Sequence, residues 1–257
     1  MGFGEKQNEA LEQNLREGKE GFQLNFKAEI NQKTFEASLN FRKSDNSDMY
    51  FFNSYNASLE RKNGEKVDQT FYLNKGKGIT AKEAFNLLDG RAVFKELSNK
   101  DGQAYNAWIQ LDFNNKDKHN NHEVKQYHEN YGYDLKGAVS KFAISELNDP
   151  EKEKSLMQSL QKGNVQSVTV EKDGSVQKMF IEANPQYKAV NLYDAQMKRV
   201  QREDLNQHQA VGQSQDNKVK NERKEDVKQD KKKDVKQKSD DVSDSKKVRS
   251  RKRGMSV

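Results

Sequence analysis

Three stretches of this chain end alike, and the hydrophobic period changes after each of them. "LEQNLREGK", "KEAFNLLDGR" and "KSLMQSLQKGN" each place a Leu three residues before a Gly: Leu15 and Gly18, Leu87 and Gly90, Leu160 and Gly163. Leu11 and Leu156 add a second Leu one helical turn earlier in the first and third. Such spacing marks one face of a helix, and Gly supplies the left-handed residue that ends it. After the Gly the period falls from 3.6 to 2. "GFQLNFKAEI" alternates Phe22, Leu24, Phe26, Ala28 and Ile30, and "AYNAWIQLDF" alternates Tyr105, Ala107, Ile109, Leu111 and Phe113. Period-2 segments of this kind are half-buried strands. Helices that alternate with hairpins predict an α+β fold with antiparallel sheets, built from repeated helix-Gly-β-hairpin units.

Start signals agree with these ends. Thr80 and Glu83 form a T-x-x-E capping box. Asp149-Pro150 reads as N-cap and first helical residue, with Glu151 and Glu153 facing the positive end of the dipole. Helices are therefore expected near 5–17, 80–89 and 150–162. Asp134 heads a fourth, with Leu135, Ala138, Val139 and Phe142 on one face.

Three turns share a pattern: Lys62-Asn63-Gly64, Lys100-Asp101-Gly102 and Lys172-Asp173-Gly174. A two-residue loop at Asn63-Gly64 would set Leu59 against Asp68. A three-residue loop pairs Leu59 with Val67 and Tyr55 with Phe71 instead. The same choice pairs Leu97 with Tyr105, Val93 with Ile109, Val170 with Val176, and Val165 with Ile181. A one-residue slip would reverse every such side chain, so three-residue hairpins with a left-handed Gly are predicted.

The units start near residues 5, 79 and 149. They divide the chain into a divergent first unit (1–78), a second with an extra helix (79–148), a third (149–200) and a tail (201–257). The tail differs in kind. All 23 aromatic residues precede residue 201. Between Arg202 and Arg253 lie 17 Lys+Arg against 11 Asp+Glu, so the formal net charge of +6 belongs to this segment and residues 1–200 balance. Isolated Val residues cannot bury enough surface to offset chain entropy, and the tail is expected to be disordered. Its densest cationic run, "KKVRSRKR", carries Lys246, Lys247, Arg249, Arg251, Lys252 and Arg253 without an acid. These six are the candidate nucleic-acid contacts, releasing counterions from a polyanion without reading its sequence.

Other chemistry is thinner. The chain has no Cys, which removes disulfides and thiolate chemistry and fits a reducing compartment. No apolar run nears the ~20 residues that cross a bilayer, and "MGFGEKQNEALEQN" has acids where a secretion signal is apolar. A cytoplasmic protein is expected. "HNNHEVKQYH" offers His119, His122, Glu123 and His128 to a metal, but H-x-x-H outside helical spacing is a weak signal. Gly76, Lys77 and Gly78 precede a helix start without the spacing of a phosphate loop. No motif implies a cofactor, a small-molecule substrate or an assembled catalytic set. Aromatics cluster in "MYFFNSYNASL" and "YHENYGY". In the first, Tyr50, Phe52 and Tyr55 cannot all share one strand face, whereas Phe51 and Tyr55 can, so part of Tyr50 and Phe52 is expected on the other side. Exposed members beside Arg42, Lys43 and Arg61 would stack single-stranded bases; the competing reading is core. Trp108 opposite Phe94 reads as core. In "KMFIEANPQYKAVNLYD", Asn184-Pro185 breaks a strand into a corner followed by an edge strand.

"ITAKEAFNLLDGRAVFKELSNKDGQAYNAWIQLDF", "YHENYGYDLKGAVSKFAISEL" and "IEANPQYKAVNLYD" resemble proteins of conjugative and other mobile elements of Bacteroides-type bacteria that carry repeats of the domain of unknown function 3945. The resemblance covers most of residues 79–200; residues 5–75 share only the helix-Gly-hairpin pattern. It implies a mobile-element setting, sometimes near DNA-processing genes, and brings no activity or catalytic residues. The expected function is a non-enzymatic accessory protein whose repeats dock a protein partner while the basic tail holds nucleic acid weakly. A body that binds single strands through aromatics, and an enzyme or metal protein using the histidines, are the alternatives.

Overall fold

A computed structural model of the chain describes residues 1–61, 64–73, 78–172 and 175–201. The chain divides into two units, Met1–Ala210 and Val211–Val257. The second lies wholly outside the described residues, as do Lys246, Lys247, Arg249, Arg251, Lys252 and Arg253. Among the described residues the elements run α1 (Asn8–Arg16), β1 (Gly21–Ile30), β2 (Lys33–Lys43), β3 (Tyr50–Glu60), β4 (Lys66–Tyr72), α2 (Ala81–Leu88), β5 (Val93–Ser98), β6 (Ala104–Lys116) and β7 (His122–His128). There follow α3 (Leu135–Val139), α4 (Pro150–Gln161), β8 (Gln166–Lys172), β9 (Ser175–Asn184) and β10 (Ala189–Tyr193). The strands form three antiparallel sheets, in the orders β1-β2-β3-β4, β5-β6-β7 and β10-β9-β8. Helices with antiparallel sheets make this an α+β fold, and no helix among the described residues is long and apolar enough to cross a membrane.

The helix signals work as physics requires. Glu83 N–H donates to the Thr80 hydroxyl and Thr80 N–H to the Glu83 carboxylate, closing the capping box. Asp149 accepts from the backbone of Glu151 and Lys152 at the start of α4. Asp134 precedes α3, but its side chain makes no capping bond. Gly18, Gly90 and Gly163 follow α1, α2 and α4 with φ of 65°, 89° and 78°.

Two cores occupy the body. The first gathers Phe35, Tyr55, Leu59, Phe85, Leu88 and Ile109 among others; the second gathers Trp108, Val139, Leu160, Ile181 and Leu192. Consecutive residues Trp108 and Ile109 thus enter different cores. The middle of β6 is buried on both faces, where alternation alone predicts burial on one. Phe94 pairs with Trp108, ring centroids 5.5 Å apart. The first core draws on both sides of residue 78, and the second on both sides of residue 148.

Register follows expectation at two turns. Leu59 faces Val67, Tyr55 faces Phe71, Leu97 faces Tyr105 and Val93 faces Ile109. The third differs. Val170 faces Gln177, Gln166 faces Ile181 and Lys172 faces Ser175, so only residues 173 and 174 intervene. The core explains it: Val168 and Val170 are buried with Met179 and Ile181, whereas Val176 is 68% exposed. A three-residue loop would have set Val168 against Lys178.

Strand β3 brings a second correction. Asn40 faces Ser54 but Phe41 faces Phe52, so Asn53 is an extra residue in a bulge. The bulge offsets the alternation by one. Tyr50, Phe52 and Tyr55 all turn to the core side, and Phe51 is the exposed one at 47%. Phe22, Phe41 and Phe52 stack in a row at 5.0 and 4.9 Å. Most of this aromatic cluster is therefore packing and not a base-stacking ladder.

Candidate nucleic-acid interface

The Asn-Pro break forms the corner that its chemistry demands. β9 ends at Asn184. Pro185 is buried and opens a single 3-10 turn, Pro185–Tyr187, closed by Lys188 N–H donating to the Pro185 carbonyl at 3.0 Å. Lys188 takes a left-handed φ of 50°, which swings the chain back as β10 with Ala189 opposite Asn184. The turn leaves Tyr187 70% exposed.

A second segment meets this corner. Beyond β7, another 3-10 turn, Glu129–Tyr131, is followed by Gly132 at φ 75°. The Tyr131 hydroxyl donates to the Gln186 carbonyl at 2.8 Å, and the Tyr133 hydroxyl to the Ala189 carbonyl at 2.9 Å. Lys188 Nζ lies 4.6 Å from the centre of the Tyr131 ring, which stands 5.1 Å from the Tyr127 ring. Burial raises the Tyr127 phenol above its ordinary value, against the pull of Lys125. Of these rings Tyr131 and Tyr187 are exposed, with the ammonium over the first, while Tyr127 and Tyr133 pack partly against the second core. Exposed rings accept a base by stacking, and the cation favours a phosphate beside it. Lys125 is already paired with Asp112 at 3.0 Å.

The route out of the body passes the same strand. Asp194 accepts from the backbone of Gln196 and Lys198 in a tight loop. The chain then returns along β10, with Tyr193 opposite Arg199 and Val200 N–H bonded to the Leu192 carbonyl. In that register Gln201 falls level with Asn191, three residues or about 10 Å short of Lys188. Gln201, the last residue described, thus lies along the strand that starts at the aromatic corner.

The histidine trio is not brought together. His119 is exposed in the turn after β6, its N–H bonded to Asp117. His122 is buried, edge-on to Phe113 at 4.9 Å, and His128 is exposed beside Tyr105 at 5.2 Å. Among the described residues no group of three His, Cys, Asp or Glu is placed to hold a metal. Gly76 and Lys77 lie outside the described residues. Arg61 serves the fold: it donates to the Leu88 carbonyl at 2.9 Å and stacks on Phe113 at 3.9 Å. The Tyr187–Lys188 pair was visible in the sequence as the residues just past a strand-breaking Pro. A turn that buries its Pro and returns sharply exposes the residues after it.

His122 carries a pH-dependent stability. Burial, then the positive charge of Lys116, holds its imidazole below the ordinary 6.5, opposed by a hydrogen bond to the Asp112 backbone. The fold therefore prefers the neutral ring. Its contribution is full above 6.5 and is lost as pH falls through the depressed folded value, because the unfolded chain takes the proton first. Urea midpoints of the wild type are expected to drop between pH 7.5 and 5.5, and those of His122→Gln to drop less. Parallel curves would remove His122 as the cause.

No protein-family model, curated protein or solved structure matches this chain.

Proposed function

We propose that this is a non-enzymatic, cytoplasmic accessory protein of a mobile genetic element that holds nucleic acid without reading its sequence. The basic segment supplies phosphate contacts, and the Tyr131–Tyr187–Lys188 corner supplies stacking for unpaired bases. One observation carries the reading: the chain leaves the described body beside β10, the strand that begins at this corner, and all the surplus positive charge lies beyond that point. Three helices that each end at a left-handed Gly and lead into antiparallel strands support a second component, a repeat array that docks a protein partner. The resemblance to mobile-element proteins with repeats of the domain of unknown function 3945 supports the setting.

The test is fluorescence anisotropy with a labelled oligo-dT strand and with a duplex, over a salt series. The full chain is expected to bind both, with log affinity falling by about 0.7 per phosphate contact per log unit of salt on the single strand. A chain ended at Ala210 should bind more weakly and with a flatter slope. Tyr187→Ala in the full chain should weaken the single strand by about fivefold to a hundredfold and leave the slope unchanged. Equal affinity and slope with and without the tail, or no binding at low salt, would refute the proposal.

A further inference from the structure

The outer face of the first sheet carries an unusual surface. Side chains that point away from the core form rows across the four strands. One row is Gln23, Asn40, Ser54 and Tyr72; the next is Asn25, Ser38, Asn56 and Thr70. One residue in three of this chain is charged, yet these eight positions carry no charge. Asn is depleted from strands, and here three share one sheet face. Strand propensity does not account for that choice.

The amides are also ordered. Gln23 Nε2 donates to Asn40 Oδ1 at 2.8 Å, Asn40 Nδ2 to Asn56 Oδ1 at 2.9 Å, and Asn56 Nδ2 to Thr70 Oγ1 at 3.1 Å. The relay runs in one direction across all four strands. Each link polarises the next, and the chain of donors ends at the Thr70 hydroxyl, which donates to no group among the described residues. Asn40 spends its other N–H on the Ser54 hydroxyl at 3.0 Å, while Gln23 and Asn56 each keep a second N–H for an external acceptor.

At the Thr70 end the face becomes a groove of about 660 Å³, a volume suited to a small ligand. Its floor is the inner row with Lys27, Glu36 and Asp68. Its wall is the turn after β6, with His119 and Asn120. The wall is fixed: Asn121 Oδ1 accepts from Thr70 N–H at 2.9 Å, and Asp117 accepts from the backbone of His119 and Asn121. The charges cancel, two cations against two carboxylates. Lys27 bonds Glu36 at 2.8 Å, and Lys66 stands 3.6 Å from it. Asp68 is exposed and has no hydrogen-bond or ion-pair partner among the described residues.

We propose that this groove binds an uncharged polyhydroxylated ligand, a short neutral oligosaccharide. Vicinal hydroxyls donate to the Asp68 carboxylate and accept from the Asn56 amide and the Thr70 hydroxyl. A polyanion is disfavoured, because the groove has no surplus positive charge and Asp68 would repel it. The site is separate from the aromatic corner and does not depend on the function proposed above.

The experiment is an array of neutral, uronic and sulfated glycans with single-stranded RNA spots, probed with the full chain and followed by calorimetry on the best neutral glycan. Neutral glycans are expected to bind. Asp68→Ala and Thr70→Val should each weaken binding by about tenfold or more, since each removes a hydrogen-bonding group that nothing replaces. Their melting temperatures should match the wild type, because neither side chain is buried. Three results would overturn the proposal: no neutral glycan held, binding confined to sulfated glycans or RNA, or affinity unchanged in both variants.

Discussion

Gly163→Ala is expected to lower the unfolding free energy by about 2–4 kcal/mol, read from urea midpoints, while Gly18→Ala costs only about 1 kcal/mol. Both glycines follow a helix with positive φ, so both variants suffer the strain of an L-residue in the left-handed region. Their surroundings differ. A Cβ on Gly18 meets nothing within 4 Å, whereas one on Gly163 would lie 2.7 Å from the Ala92 carbonyl oxygen, 3.0 Å from Val93 and 3.1 Å from Asn86. The nearest of these is backbone and cannot swing away. Ala92 and Val93 belong to opposite cores, so a displacement there reaches both. Gly90→Ala should fall near Gly18→Ala, because its Cβ would meet only Phe113 at 3.7 Å. Equal losses at all three positions would show that strain alone matters and that crowding at the end of α4 does not.

This series also shows what the residues disclosed and what they hid. Leu three before Gly located the ends of α1, α2 and α4. The mechanism holds at α2 and α4, where Gly90 and Gly163 N–H bond the carbonyls of Leu87 and Leu160, and Arg91 and Asn164 N–H those of Asn86 and Ser159. Pattern could not tell which Gly is crowded, since that depends on an approach between α4 and β5 set by tertiary packing. Turn length was legible where both strands alternate cleanly, as at Leu59–Val67. It was misread after β8, where Val176 suggested a buried partner for Val170 and the core chose Met179 and Ile181. The bulge at Asn53 has no local signature, and one extra residue reassigned three aromatics. The candidate site was half visible. Pro185 announced a corner, but that Tyr131 would reach it depended on a contact across 55 residues.

Asp89→Ala should be the costliest single substitution at a polar residue of the body, about 3–5 kcal/mol. Asp89 ends α2 and accepts from two cations, Lys33 at the start of β2 and Arg91 at 2.5 Å. The side chains of Lys33, Asp89 and Arg91 are only 14, 12 and 10% exposed. Arg91 also donates to Asn86 Oδ1 at 2.7 Å, and Asn86 Nδ2 donates to the Lys162 carbonyl at 2.6 Å and to Asn164. One carboxylate thereby anchors a polar chain from the first sheet, through α2, to the end of α4. Its removal strands two cations with little water to replace it, and that penalty exceeds the worth of the bonds lost. Two controls separate the causes. Added salt should barely change the loss, because buried pairs are poorly screened, while an exposed pair such as Arg16–Glu12 contributes little at any salt. Replacing the whole triad, Lys33→Met with Asp89→Leu and Arg91→Met, should recover most of the stability, since no unpaired charge remains. If the triple variant is as unstable as Asp89→Ala, the loss comes from broken geometry at the helix end and not from stranded charge.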